Sequence, residues 1–226
     1  MKLLAIDTST EACSAALSID GETIERYRLA PRQHTRLILP MIDELLSDSG
    51  LSIGDMDGVA FGRGPGAFTG LRIAAGVIQG IAFGADLAVV PVSTLAALAQ
   101  GGYRDTGATR VLAAIDARMQ EVYWAAYDID DSGYARLIGE ELVCSPQQVP
   151  IPDGEGWSGV GSGWEAYLSP LQRRLAGTLS TWDAQRYPRA RDVAVLGAAA
   201  LGRGAAVSAE RALPVYLRNE VAVKQG

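Results

Sequence analysis

Two aspartates stand in the same local setting in this chain. Asp7 closes the apolar run of LLAIDTSTEACSAAL (residues 3–17), and Asp116 closes that of VLAAIDARMQEVYWAAY (residues 111–127). In each copy small or polar residues follow, then a second apolar run. Short runs rich in Val, Ile and aromatics around a polar break predict a strand, a tight turn just after the Asp, and an antiparallel return strand. Two such hairpins point to a duplicated domain, with a ligand cleft between the two similar layers. The plainer reading is a chance likeness between two hairpins. Carboxylates on facing turns could hold a metal and polarise phosphates, and Thr8 and Ser9 add hydroxyls beside the first. Asp7, Thr8, Ser9 and Asp116 are therefore the candidate nucleotide-cleft residues. Either carboxylate could equally accept hydrogen bonds from the backbone of its own turn.

The second candidate is the loop GRGPGAFTG (residues 62–70). Glycines let backbone amides approach an anion at a helix N-terminus. The loop lacks the Gly-Lys-Ser/Thr ending of a Walker A motif. It matches a dinucleotide fingerprint only loosely, with proline at a variable position and no acid after the next strand. A tight turn into a closely packed helix accounts for Gly64, Pro65, Gly66, Thr69 and Gly70 at least as well. Nucleophilic and metal chemistry is scarce. His34 is the single histidine, so a histidine-rich metal site has no second histidine and a Ser-His-Asp triad has no obvious geometry. Near a helix start, His34 reads as a surface or capping residue. Cys13 and Cys144 form no CxxC motif and read as buried reduced thiols. No catalytic residue and no metal ligand set is assigned.

The elements that must position these groups follow from periodicity. The first hairpin continues into a third strand, Glu22 to Leu29. Leu37, Ile38, Met41, Ile42, Leu45 and Leu46 recur with a helical period between Thr35 and Ser47, with Gly50 as the stop and Pro40 as a kink or first-turn residue. A strand at Met56–Gly62, the glycine loop, a helix from Phe68 to Gly84 and a strand at Leu87–Val92 form a βαβ unit and hence a parallel pair. A helix at Ser93–Gln100 takes Ser93 or Thr94 as its N-cap. Gly101, Gly102 and Gly107 mark a boundary, giving domains 1–106 and 107–226, the C-terminal segment being free to pack back on the first. Further on, residues 146–163 are turn-rich, Trp164–Ala176 and Asp192–Gly202 read as helices, and PVYLR (Pro214–Arg218) is a short segment that packs on something.

The helix at 68–84 is apolar nearly all round. Gly76, Gly80 and Gly84 fall four apart as a smooth stripe, with Leu71, Val77, Ile78, Ile81 and Phe83 around them, whereas a surface helix keeps a polar face. Either the helix at 35–47 covers it internally, or the pair is exposed to a partner protein. Leu37, Met41, Leu45, Leu71, Gly76, Val77, Gly80 and Phe83 are the candidate partner-facing residues.

Composition narrows the classes. With 226 residues, 48% of them hydrophobic, the chain can bury one sizeable core or two modest ones. Its net charge of −6 argues against gripping nucleic acid unaided, because phosphate neutralisation supplies most of such affinity. The arginines between 173 and 191 are interspersed with acids, as on a solvated face. The apolar run Ile73–Ala85 is interrupted by Gln79 and bounded by Arg72 and Asp86, so no membrane span is expected. MKLLAIDTST reaches Asp7 before an apolar stretch forms, so no secretion signal is expected and the cytoplasm is the expected location.

FGRGPGAFTGLRI (residues 61–73), LLAIDTST, HTRLILPMIDELL (residues 34–46) and PVYLR together resemble the bacterial TsaB (YeaZ) family over essentially the whole chain. The resemblance implies an α/β fold of the actin, sugar-kinase and Hsp70-like (ASKHA) type, with two related βββαβα domains flanking a nucleotide cleft. It also implies a role in making threonylcarbamoyladenosine beside the tRNA anticodon, as partner of TsaD, which transfers the threonylcarbamoyl group, and of the ATPase TsaE. Where TsaD resembles a His-x-x-x-His metal site, PVSTLAAL here puts Thr94 and Leu98, and neither replaces an imidazole on a metal. The expectation is a scaffold with no catalytic residues and no cofactor of its own, a TsaD heterodimer that meets ATP and tRNA only at the level of the complex, and a homodimer when alone. The alternative is a free-standing nucleotide-dependent enzyme using Asp7 and Asp116.

Overall fold

A computed structural model describes residues 1–218. The first hairpin forms as the alternation requires, β1 (Lys2–Asp7) pairing antiparallel with β2 (Ala12–Ile19), and β2 with β3 (Glu22–Leu29). Helix α1 (His34–Ser49) follows, ended by Gly50 in the left-handed conformation at φ 66°. β4 (Gly58–Gly64), α2 (Phe68–Ala85) and β5 (Val89–Ser93) make the βαβ unit, with β4 parallel to both β1 and β5. Helix α3 (Thr94–Thr106) begins where the Ser93 hydroxyl accepts from the Ala96 N–H.

The second half repeats the first: β6 (Arg110–Asp116), β7 (Val122–Ile129), β8 (Ala135–Cys144), β9 (Trp157–Val160), short helices α4 (Gly163–Ala166) and α5 (Leu168–Arg174), β10 (Leu179–Asp183) and α6 (Ala190–Gly202). The sheets run β3-β2-β1-β4-β5 and β8-β7-β6-β9-β10. The order is the same in both, so the hairpin likeness is duplication and not chance.

Some strands and several boundaries differ from the sequence reading. β8 is largely exposed and carries charges, so its alternation is weak. β9 is four residues long inside a stretch of turns, and β6 and β10 supply the pairing that makes it a strand. The helix expected at Trp164–Ala176 is broken at Tyr167. Pro40 sits inside α1 on an exposed position, where water can satisfy the carbonyl its missing N–H would have bonded. Gly101 and Gly102 are helical and not a linker; Gly107 alone ends α3, at φ 73°. They allow close approach, since a Cβ on Gly101 would come within 2.9 Å of Asp192 Oδ2 and one on Gly102 within 3.1 Å of Val160 Cγ1.

Each sheet buries both faces. On one side of the first, α1 and α2 cover Leu4, Ile6, Leu17 and Phe61. On the other, Val193 and Ala194 of α6 pack on Leu3, Ala5 and Ala16, so a helix from the second half of the chain belongs to the first sheet. α3 in turn places Leu95 and Leu98 on Val111, Ala113 and Tyr127 of the second sheet, and it contacts α6. The far face of the second sheet holds Trp124, Trp157, Trp164 and Leu171. α2, with its 18 residues, is long and apolar enough to cross a membrane by length and composition. Its Ala74, Ala75, Ile78 and Ala82 are buried in the first core.

Trp164 is fully buried, and its indole N–H donates to Leu112 O at 3.1 Å. Its ring fills the space that Gly159 leaves, where a Cβ would be 2.3 Å from it. Trp164→Ala is expected to cost about 3–5 kcal/mol, read as a lower denaturant midpoint with an unchanged m-value.

Candidate functional site

The two aspartates end their strands alike. Asp7 Oδ1 accepts from the Ser9 N–H at 3.0 Å, and Asp116 Oδ1 accepts from the Arg118 N–H at 2.9 Å, the same i to i+2 turn. Their surroundings then diverge. Asp7 is fully buried, takes a second bond from the Ser9 hydroxyl at 2.7 Å, and leaves Oδ2 without a hydrogen-bond partner. That oxygen lies 1.9 Å from where a Cβ on Gly62 would be. Burial pushes the Asp7 carboxyl up to about 6 against the lowering effect of the Ser9 bonds. Asp116 accepts from the Tyr167 hydroxyl at 2.9 Å and pairs with the Arg118 guanidinium at 2.9 Å.

The glycine loop is clamped onto the first of these turns. Ala67 N–H donates to Ser9 O at 2.8 Å, and the Thr8 hydroxyl donates to Gly70 O at 2.7 Å. A Cβ on Gly66 would meet Ser9 O at 2.4 Å, and one on Gly70 would meet Thr8 O at 2.0 Å. Gly64, at φ 110°, donates its N–H to the Thr94 hydroxyl at 3.1 Å and precedes a cis peptide to Pro65. Thr69 is exposed at the start of α2. The loop thus engages the Gly64 and Ala67 N–H groups and the Gly70 carbonyl with its own protein.

Between the two turns lies a cleft of about 830 Å³. Ser9, Glu11, the loop from Pro65 to Phe68, Ile115 to Arg118, Ser162, Glu165 and Tyr187 line it, and Val215 to Arg218 cross it. Of the four residues expected in a nucleotide cleft, Ser9 and Asp116 line it. Asp7 and Thr8 are not in the lining: Asp7 is bonded by Ser9 of its own turn, and the Thr8 hydroxyl donates to Gly70 O. Among the described residues no group of three His, Cys, Asp or Glu is gathered as a metal site.

His34 is not a surface residue. It is buried at the start of α1, and Nε2 donates to Thr10 O at 2.8 Å, with Ala12 O at 3.2 Å. It ties α1 to the same β1–β2 turn. Cys13 is buried, and burial pushes its thiol up to about 12; Cys144 is half-buried. Thr94 and Leu98 carry structural duties, Thr94 as the hydroxyl under Gly64 and Leu98 as a fully buried core residue.

The helix pair presents a different surface from the one its sequence outlines. Met41 and Leu45 point into the first core, and Leu71 is buried at the cleft wall beside Gly64, so none of the three is exposed to a partner. Leu37 and Val77 are half-buried. A Cβ added at Gly76, Gly80 or Gly84 would meet nothing within 4 Å, and Phe83 is 77% exposed beside them. The stripe is therefore open and not covered by α1.

Sequence reading missed an inter-lobe network. Arg63, inside the glycine loop, pairs with Glu141 of β8 at 3.5 Å, Glu141 accepts from the Tyr127 hydroxyl at 2.8 Å, and Tyr127 reaches Ser93 at 3.4 Å. It also missed Arg118 reaching Glu11 across the cleft at 3.4 Å. Arg63 lies within a motif read for its glycines, and nothing local marks its partner 78 residues away.

Two sheets of identical strand order, each ending its first strand in an aspartate turn at a shared cleft, define the ASKHA class. Residues 27–225 match the family model described as TsaD, tRNA N6-adenosine threonylcarbamoyltransferase. The chain is 46% identical, over its whole length and 98% of the relative's, to the tRNA threonylcarbamoyladenosine biosynthesis protein TsaB of Escherichia coli, and 44% identical to the protein of the same name from Haemophilus influenzae, over its whole length and 97% of that one. The solved structure of YeaZ from Pseudomonas aeruginosa is 48% identical and superposes with a TM-score of 0.89 over 96% of this chain and 99% of that one. This chain belongs to the TsaB (YeaZ) family.

The buried Asp7 carboxyl, with Oδ2 lacking a hydrogen-bond partner, makes stability depend on pH. A folded-state value of about 6 lies above the ordinary 3.8, so the native state binds the extra proton between these values. The sign makes stability fall as pH rises through that window, the full cost standing above pH 6. Asp7→Asn is expected to remove up to about 3 kcal/mol of this slope between pH 4 and 7, measured by denaturant unfolding at each pH. Gly62→Ala, which puts a methyl against Oδ2, is expected to destabilise, and less so when combined with Asp7→Ala.

Proposed function

We propose that this chain is a non-catalytic scaffold and activator of TsaD, acting with TsaE in forming the threonylcarbamoyl group on the tRNA adenosine adjacent to the anticodon. The observation that carries this reading is the open glycine stripe of α2 with Phe83 at its end. A row of glycines lets a second helix approach backbone to backbone, and an exposed phenylalanine beside it supplies the apolar contact. Gly76, Gly80, Val77 and Phe83, with Leu37 at the margin, are the docking residues of this reading. Without TsaD the same face pairs with a second copy, since a self-complementary patch favours a two-fold dimer.

The inward turn of Asp7, the pairing of Asp116 with Arg118 and the structural employment of Thr94 and Leu98 support a role without an active site of its own. They weigh against a free-standing enzyme that uses the two aspartates. In this reading tRNA and ATP are met only in the complex, which sits in the cytoplasm, and no metal or cofactor is held by this chain.

Co-purification with TsaD, followed by the transfer reaction with and without this chain, tests the role. Threonylcarbamoyl transfer by TsaD at the same rate without the chain would refute it, as would turnover by the chain alone that Asp7→Ala abolishes. Gly80→Arg is expected to leave a folded monomer with the parental cooperative melt and to abolish both the homodimer and TsaD binding, because the charge is desolvated without a partner. Size measurement and melting on one sample check this; undiminished TsaD affinity would remove α2 from the interface.

A further inference from the structure

The last described residues contact the two lobes in turn. Val215 N–H donates to Arg63 O at 2.8 Å at the end of β4. Gly64 leaves the room for this, as a Cβ there would be 2.6 Å from Val215 O. The Tyr216 ring packs on Phe68 with centroids 5.6 Å apart, and its hydroxyl accepts from Arg72 Nε at 3.4 Å. Arg218 then reaches the other lobe, donating to Ala117 O at 3.1 Å and pairing with Glu121. These residues form part of the cleft wall while joining its two sides.

The two ends of this crossing are unequal. At the first lobe a backbone hydrogen bond and an aromatic contact act together. At the second, among the described residues, the Arg218 guanidinium holds on, to a turn whose Arg118, Met119 and Gln120 all have positive φ, 61°, 54° and 62°. Left-handed backbone at three successive side-chain-bearing residues is unfavourable, so the surrounding contacts must hold it. The Arg218–Glu121 pair is partly exposed, so salt weakens it.

We propose that Val215–Arg218 is a strap that holds the cleft closed, and that it releases at its Arg218 end. Detachment there frees the β6–β7 turn and lets the lobes separate about the α3–α6 contact at the base, while Val215 and Tyr216 stay on the first lobe. The strap operates whichever protein docks on α2.

The test uses the full chain with spin labels at Gln33→Cys and Ser169→Cys, one exposed position on each lobe, in a Cys13→Ala, Cys144→Ser background. The parent is expected to give one narrow distance distribution, and Arg218→Ala a second, longer population at least as large. Arg218→Glu should open the cleft likewise, and adding Glu121→Arg should restore the narrow distribution. In parallel, hydrogen exchange on unlabelled Arg218→Ala should quicken roughly tenfold at Ala117 and Glu121 while Val215 stays protected, as the loss of one charge-assisted bond implies. A cooperative melt equal to the parent's confirms the fold of each variant. Distance distributions and exchange rates in Arg218→Ala that match the parent would overturn the strap, as would loss of protection at Val215 together with the turn.

Discussion

Backbone packed directly on backbone, between the turn after Asp7 and the loop entering α2, sets the geometry of the first lobe. Ser9 O receives the Ala67 N–H, Gly70 O receives the Thr8 hydroxyl, and Gly62, Gly66 and Gly70 each face an atom where a side chain would clash. At Gly66 and Gly70 such contacts leave little slack, because the atoms they face are the backbone oxygens of Ser9 and Thr8. The direction of α2 follows from them, and so does the exposure of its glycine stripe. The Asp7 carboxylate is held by Ser9 of its own turn and is absent from the cleft lining.

The two lobes are joined by an exchange of helices. α6 returns from the second half to cover the first sheet, and α3 covers the second, so the lobes share a packed layer between them. Arg104 of α3 pairs with buried Asp192 of α6 within that layer. Burial pushes the Asp192 carboxyl up to about 6, against the lowering effect of the Arg104 guanidinium. At the cleft lining the connections are polar and partly exposed: Arg118 to Glu11 and Arg218 to Glu121. A firm apolar base and a salt-sensitive mouth place any opening motion at the mouth.

Much of the architecture is legible in the residues. The repeated Asp-ended hairpin exposes the duplication, because alternating apolar residues and a turn-forming Asp are local properties. The βαβ unit and the glycine loop are legible for the same reason. β9 is not, since four residues acquire strand geometry only when β6 and β10 flank them. Gly101 and Gly102 read locally as a linker because glycine marks both a chain break and a close helix contact, and only the neighbouring Asp192 and Val160 distinguish the two. Leu71 reads as outward-facing because the all-round apolar α2 does not announce which face will be buried, and Met41 and Leu45 of α1 turn out to be buried against the first sheet.

By itself, then, the sequence determined the pattern of elements, the duplication, the family resemblance and the two aspartate turns, all of which depend on residues within a few positions of one another. Tertiary structure alone decided which side of α2 stays open, that Asp7 turns inward while Asp116 meets the cleft, that α6 serves the other lobe's sheet, and that the tail reaches from Arg63 to Glu121. Those outcomes depend on groups brought together from up to 176 positions away, as when Ser14 receives the Ala190 N–H. Local propensity carries no record of such partners; only the closure of the chain into two packed layers selects them.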